Sequence, residues 1–302
     1  APAGPVEDPV AATTPDHVTP RNPDQTEQDH LPAYADRFSP DRRLGRIIGG
    51  GRYRIDAVIG QGGFGTVYRG THLAIGEAVA IKYLHAELAT HAELRHRFRR
   101  EARALARLRH PGIVAAHDFG EDGNTLYLVM ELVAGESLQK NLVIDGRPMP
   151  IERTGAIFDQ VLQVLEVAHA EGVVHRDMKP ENVLLLRTAD RAEHVKVLDF
   201  GIALMDEGEG AARLTATGVV QGTPLYMSPE QCRGRDVGPK ADVYAVGVML
   251  FEALCGETPF GGDSATDLMV KHMFIDPPSV AERGVRPKLA PALEALVRSA
   301  LA

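Results

Sequence analysis

At 302 residues the chain can hold one large domain or two modest ones, and 44% hydrophobic with 25% charged residues is the balance of an ordinary soluble protein with ample core material. A formal net charge of −8 argues against wholesale nucleic-acid binding, which shows as a basic excess. Two cysteines, Cys232 and Cys255, without paired spacing fit a reducing compartment and offer neither a disulfide framework nor a thiolate metal site.

Residues 1–45 are rich in Pro, Ala, Thr, Asp and Gln with few large aliphatic side chains. Such a segment buries too little apolar surface to offset its ordering entropy, so a disordered tail is expected. A folded domain is expected over 46–302, with ordered structure from near Tyr53. Residues 53–135 carry short β-rich runs (YRIDAVIG, FGTVYRG, AVAIKYL, TLYLVMELV) and one Arg-rich helical stretch. From 151 onward, IFDQVLQVLEVAHA and DVYAVGVMLFEAL space their apolar residues by three and four, the mark of helices. The fold class expected is α+β: a small β-rich lobe at about 53–131 and a larger, mainly helical lobe at about 134–302. The most apolar run, 243–255, is too short to span a bilayer and contains Glu252. With no apolar leader at the N-terminus, the chain reads as soluble and cytoplasmic, without a membrane segment of its own.

In IGQGGFGTVY (59–68), Gly60, Gly62 and Gly65 have GxGxxG spacing, which lets backbone approach a phosphate closely. Alone the pattern equally fits a tight hairpin. A dinucleotide-binding unit needs a helix after the glycines, but here the β-like TVYRG follows, then a turn and another strand. A P-loop needs Gly-Lys-Ser/Thr, and Gly65 is followed by Thr66 and Val67. Both readings fail.

Lys82 ends the run Val79-Ala80-Ile81-Lys82. In RHRFRREARALARLRH (95–110), Phe98, Glu101, Leu105 and Leu108 share one helical stripe. An inward carboxylate needs a cation, and Lys82 on the neighbouring sheet is the natural one. The seven arginines of this stretch mostly face away, as a solvated face rather than an RNA site. Further on, VVHRDMKPENVLLL (173–186) presses a block of charge between two apolar patches.

In chain order there follow a glycine loop, VAIK, an inward Glu, HRDMKPEN (175–182), DFG (199–201) and SPE (228–230). This ordered set resembles the eukaryotic-like (Hanks-type) protein kinase family, most closely its bacterial serine/threonine branch, over about 250 residues. The resemblance implies a bilobal kinase fold and transfer of the ATP γ-phosphoryl to Ser/Thr hydroxyls of protein substrates. It implies that Asp177 accepts the hydroxyl proton, Lys179 neutralises the γ-phosphoryl, and Asn182 and Asp199 hold Mg²⁺, with Mn²⁺ as an alternative ion. Lys82, oriented by Glu101, would grip the α- and β-phosphates. Ile59 and the three glycines would cover the nucleotide. Val67, Ala80 and Leu184 would close on the adenine faces, Glu131 and Val133 would offer it backbone groups, and Met130 would stand behind it. His175 is structural, and Asp242 would brace the loop.

The resemblance also bears on control. Arg176 is the expected partner of a phosphate on the activation segment, where Thr215 and Thr217 match an autophosphorylated pair ahead of Thr223. Homodimerisation through the small lobe is implied by resemblance alone, and a membrane anchor beyond residue 302 is common in bacterial relatives. The chain stops at LVRSALA, where relatives continue through a last helix whose arginine pairs with the SPE glutamate. Glu230 is therefore expected to lack its partner unless Arg298 substitutes, at a cost in stability. The alternative function is a pseudokinase or ATP-binding scaffold on the same fold. The presence of Lys82, Glu101, Asp177, Asn182 and Asp199 weighs against it, and the SPE-bounded activation segment weighs against a small-molecule kinase.

Overall fold

The computed structural model describes residues 41–62, 65–84, 102, 104–144, 146–187, 193–200, 224–283 and 291–302. Six strands come first: β1 (Ile47–Ile48), β2 (Tyr53–Gly62), β3 (Gly65–His72), β4 (Glu77–Leu84), β5 (Ala116–Asp122) and β6 (Thr125–Glu131). They form one antiparallel sheet in the order β1-β2-β3-β4-β6-β5. The central strands read EAVAIKYL and TLYLVME, nearly continuous apolar runs, because both of their faces are covered. Alternate residues therefore go to different cores. Ala80, Leu128 and Met130, with Val67, join the main core, whereas Tyr68, Val79, Ile81, Tyr83, Tyr127 and Val129 form a second one with Ile48, Tyr53 and Ile55.

The segment ahead of Tyr53 takes part in this second core. Arg43 lays its guanidinium over the Tyr83 ring at 4.8 Å, and Arg46 pairs with Asp122 at 2.9 Å. Tyr83 donates its hydroxyl to the same Asp122 carboxylate at 2.9 Å. The amide of Gly45 donates to the Ile55 carbonyl at 2.8 Å. Ordered structure thus begins about ten residues before the expected Tyr53, and residues 43–45 are part of the fold rather than of a tail. Residues 1–40 lie outside the described residues.

The second half begins with β7 (Glu136–Ser137), β8 (Val143–Ile144) and β9 (Arg147–Pro148), then α1 (Ile151–Ala170), β10 (Val183–Arg187) and β11 (Glu193–Val197). It continues through α2 (Pro229–Cys232), α3 (Pro239–Cys255), α4 (Ala265–Phe274) and α5 (Pro291–Ala300). Helix α1 buries Ile157, Phe158, Val161, Val164, Leu165 and Ala168, one stripe at helical spacing. Helix α3 is buried almost all round, as its apolar sequence requires, and stops at Gly256, whose φ of 84° only glycine adopts without strain. β10 pairs antiparallel with β11 and, on its other edge, with β7. Among the described residues no helix is long and apolar enough to cross a membrane.

Candidate active site

The charged run at 173–186 is pinned from below by a carboxylate. Asp242, on α3 and 1% exposed, accepts the backbone N–H groups of His175 and Arg176, both at 2.8 Å, and meets Nε2 of His169 at 2.7 Å. A buried carboxylate is costly unless its lone pairs are filled, and here three donors fill them. His175, fully buried, has Nε2 at 2.7 Å from the Leu198 carbonyl and Nδ1 at 3.3 Å from the Asp177 amide. Nε2 must therefore donate and Nδ1 accept, which assigns the neutral Nε2–H tautomer. The same ring packs on Phe200 at 4.7 Å. The structural role expected for His175 is what its surroundings give it.

Arg176 sits at φ 66°, an uncommon conformation for a non-glycine residue. Its carbonyl accepts from Gln231 Nε2 at 2.7 Å, while Gln231 also closes a reciprocal cap with Ser228 at the start of α2. The loop is thus clamped from two helices, and the backbone strain at Arg176 is held by them.

Beyond this clamp the polar side chains converge. Asp177 Oδ2 accepts from Lys179 Nζ at 2.8 Å and from Asn182 Nδ2 at 3.2 Å, and Asn182 Nδ2 also donates to the Asp177 carbonyl at 2.7 Å. Asn182 closes the 3-10 turn Pro180–Asn182, and its carbonyl accepts from Leu198 N at 2.8 Å, which ties the turn to the approach to Asp199. Lys82 on β4 reaches Asp199 with Nζ at 2.8 Å from Oδ1. A lysine with only 7% of its side chain exposed needs such a partner. Asp199, at φ 54°, is the other non-glycine residue with positive φ among those described.

The apolar end of the cleft is made by register. Val67 pairs with Lys82 and Ala80 with Met130 across neighbouring strands, so Val67, Ala80, Lys82 and Met130 share the sheet face that meets the main core. Leu184 lies on β10, opposite Lys196 on one side and Ser137 on the other. Glu131 ends β6, and Val133 lies two residues beyond it. Ile59, Gly60 and Gly62 lie in β2 and Gly65 opens β3 opposite Gly62. A Cβ on Gly65 would collide with the Tyr83 carbonyl oxygen, so glycine there is required by strand packing as well as by any ligand.

Glu101, Thr215, Thr217 and Thr223 lie outside the described residues, so the expected Lys82–Glu101 pair and the threonines of the activation segment have no structural account. Among the described residues Glu230 and Arg298 form no ion pair, and Glu230 is half-exposed rather than buried. Two contributors escaped the reading of the sequence. His169 lay on an unremarkable helix, but Gln231 had a signal: Ser228-Pro229-Glu230-Gln231 is a capping-box pattern.

A sheet-rich lobe and a helical lobe with lysine, two aspartates and an asparagine gathered between them define a phosphoryl-transfer architecture. Residues 53–299 match the protein kinase domain family, and the chain belongs to it. Among curated relatives, it is 41% identical over 266 residues to the serine/threonine-protein kinase pkn3 of Myxococcus xanthus, covering 86% of this chain and 48% of that protein. It is 41% identical over 256 residues to the serine/threonine-protein kinase PknA of Mycobacterium tuberculosis, covering 83% of this chain and 56% of that protein. The chain thus spans about half the length of these relatives. Of solved structures, the PknI kinase domain of Mycobacterium tuberculosis matches with a TM-score of 0.64 at 28% identity, covering 85% of this chain and 89% of that one. Rad53 residues 1–466 in complex with AMP-PNP match with a TM-score of 0.66 at 26% identity, covering 84% of this chain and 61% of that one.

Proposed function

We propose that this chain is the catalytic domain of an ATP-dependent protein kinase acting on serine and threonine hydroxyls. The observation that carries the reading is the convergence of Asp177, Lys179 and Asn182 on one side of the cleft with the Lys82–Asp199 pair on the other. Phosphoryl transfer demands alignment and charge compensation more than covalent chemistry, and these groups supply both. The Asp177 carboxylate orients the acceptor hydroxyl and takes its proton as the oxygen bonds to the γ-phosphorus and the bond to ADP breaks. Lys179, already beside Asp177, compensates charge on the transferring group. Lys82 turns from Asp199 towards the α- and β-phosphates.

The donor set fits a hard divalent ion. Asn182 spends its amide N–H groups on Asp177, which leaves its oxygen free, and this oxygen with the Asp199 carboxylate would hold Mg²⁺ or Mn²⁺. Bound there, the ion neutralises phosphate charge. Glu131 and Val133 present backbone groups to adenine, Leu184 lies under it, Val67 and Ala80 lie above, and Met130 stands behind. Protein substrates, a cytoplasmic site of action and autophosphorylation at Thr215 and Thr217 belong to the same reading, with Arg176 as the phosphate's partner.

Intact mass measurement before and after incubation with Mg²⁺ and ATP tests it. The wild type is expected to gain phosphate and Asp177→Asn to gain none, with peptide mapping placing the phosphate on Thr215 and Thr217. A wild type that binds ATP yet stays unmodified, and transfers nothing to a generic protein substrate, would establish the pseudokinase alternative instead.

A further inference from the structure

Among the described residues two ion pairs bridge the lobes, and one of them, Lys82–Asp199, lies at the proposed phosphate end. At the other end of the cleft Lys196 on β11 meets the Glu131 carboxylate, Nζ to Oε2 at 2.5 Å. Lys196 is paired across the strands with Leu184, so the two side chains leave the same face of that sheet. Glu131 is the last residue of β6. The contact therefore joins the strand end that offers backbone to adenine to the strand pair that carries its floor.

The surroundings make this more than a surface ion pair. Val197, next to Lys196, donates its amide to the Gly112 carbonyl at 2.8 Å and accepts from Val114 N at 3.2 Å. Ala115, one residue on, accepts the Glu131 amide at 2.9 Å. Strand β11 thus holds Glu131 twice, once through the backbone of 112–115 and once through the Lys196 side chain. Three residues after Lys196 the same chain delivers Asp199 to Lys82. The two pairs have reversed polarity: β11 contributes the cation at the adenine end, and the residue beyond it the anion at the phosphate end. A shift of β11 relative to β4 and β6 breaks both.

We infer that Lys196 is a positioning residue for the nucleotide, fixing Glu131 over Leu184 at the spacing an adenine ring requires. The inference rests on the adenine site proposed above. An exposed lysine–carboxylate pair contributes little, but only 18% of the Lys196 side chain is exposed and its partner is anchored by its own backbone. The Glu131 carboxylate also accepts from the Ala115 amide at 3.4 Å, which narrows the side-chain freedom that the pair must freeze. Without Lys196, Glu131 keeps its place opposite Val79 on β4, its amide bond to Ala115 and a longer bond from the Ala115 amide to Oε2 at 3.4 Å, but its side chain loses its link to β11.

The test is titration of wild type, Lys196→Met, Lys196→Arg, Glu131→Gln and the double variant Lys196→Met/Glu131→Gln with AMP-PNP and Mg²⁺, alongside kinetics against ATP. Lys196→Met is expected to weaken AMP-PNP binding about three- to tenfold, and to raise KM for ATP with kcat within about twofold of wild type. Lys196→Arg keeps the pair and stays near wild type. Glu131→Gln reproduces the loss, and the double variant binds no more weakly than either single one. Should Lys196→Met fail to fold, Glu131→Gln and Lys196→Arg carry the comparison. Unchanged affinity in Lys196→Met, additive losses in the double variant, or a fall in kcat at constant KM overturns the inference. A wild type that binds no AMP-PNP overturns the adenine-site reading and the inference with it; a wild type that binds, beside an unaffected Lys196→Met, overturns the inference alone.

Discussion

Asp242 lies in a largely apolar helix, and its two oxygens hold the backbone of His175 and Arg176 while His169 closes the third direction. Asparagine has the same shape but only one accepting oxygen, and its N–H₂ would face amide donors. Asp242→Asn is expected to lose about 2–4 kcal/mol of stability, the range for stripping a buried charged acceptor from its donors. The midpoint of urea unfolding checks this. Activity should fall further than the unfolded fraction explains, because the φ of 66° at Arg176 loses the contact that holds it, and Asp177 follows Arg176. An Asp242→Asn protein with unchanged stability and full turnover would mean that α2, through Gln231, suffices to shape the loop.

At the scale of elements, the β2–β3 hairpin separates two jobs that one glycine pattern confounds. Gly65 faces the Tyr83 carbonyl with no room for a methyl group, whereas nothing lies within 4 Å of a Cβ on Gly62. Gly65→Ala is expected to destabilise the protein by about 1–3 kcal/mol, the cost of overpacking. Gly62→Ala should shift stability by less than about 0.5 kcal/mol, so that any loss it brings in ATP binding comes from the nucleotide side. Paired thermal melts and AMP-PNP titrations distinguish the two. The spacing of the glycines fits a phosphate loop and a tight hairpin equally, because spacing carries no information about which neighbour each one meets. Strands with alternating or continuous apolar runs and both long helices were legible in the sequence, since burial writes itself into periodicity. Strand β5, AHDFGED, was not, because an edge strand half-buried at most keeps polar residues. Nor was the cover formed by Arg43 and Arg46, whose partners Tyr83 and Asp122 lie far along the chain. Of the site, Lys82, Asp177, Lys179, Asn182 and Asp199 were legible through motif order, and the structure brings them together. Lys196 was hidden in an apolar flank, visible only once β11 is placed beside Glu131.

For the whole molecule, the response to acid follows from groups buried at its junctions. His272 on α4 is 4% exposed, with Nδ1 at 2.7 Å from the Tyr244 hydroxyl and its ring 5.1 Å from that of Phe260. Burial pushes its imidazole down to about 4, with the backbone of Leu225 and Pro224, outside hydrogen-bonding geometry, pulling weakly the other way. Unfolding releases it to an ordinary histidine near 6.5. The neutral ring thus supports the fold fully above about pH 6.5, and that support is lost as pH falls towards 4, by on the order of 3 kcal/mol in all. Glu193 acts later. Hydrogen bonds from Arg153 at 2.7 and 2.8 Å hold its carboxyl below the usual value, so its contribution is present above about pH 4.5 and goes only below that. Glu252, pushed up by burial, works in the opposite sense, since the folded state takes up its proton first. Urea unfolding of wild type and His272→Gln between about pH 7 and pH 5 isolates the histidine, because the carboxylates cancel in the difference. The wild type is expected to lose stability more steeply on acidification, by up to about 1.4 kcal/mol per pH unit, and the two curves to converge towards acid. Parallel curves would mean that the ring takes up its proton inside the fold, and that α4, α3 and the turn Pro224–Tyr226 open around it without unfolding the rest.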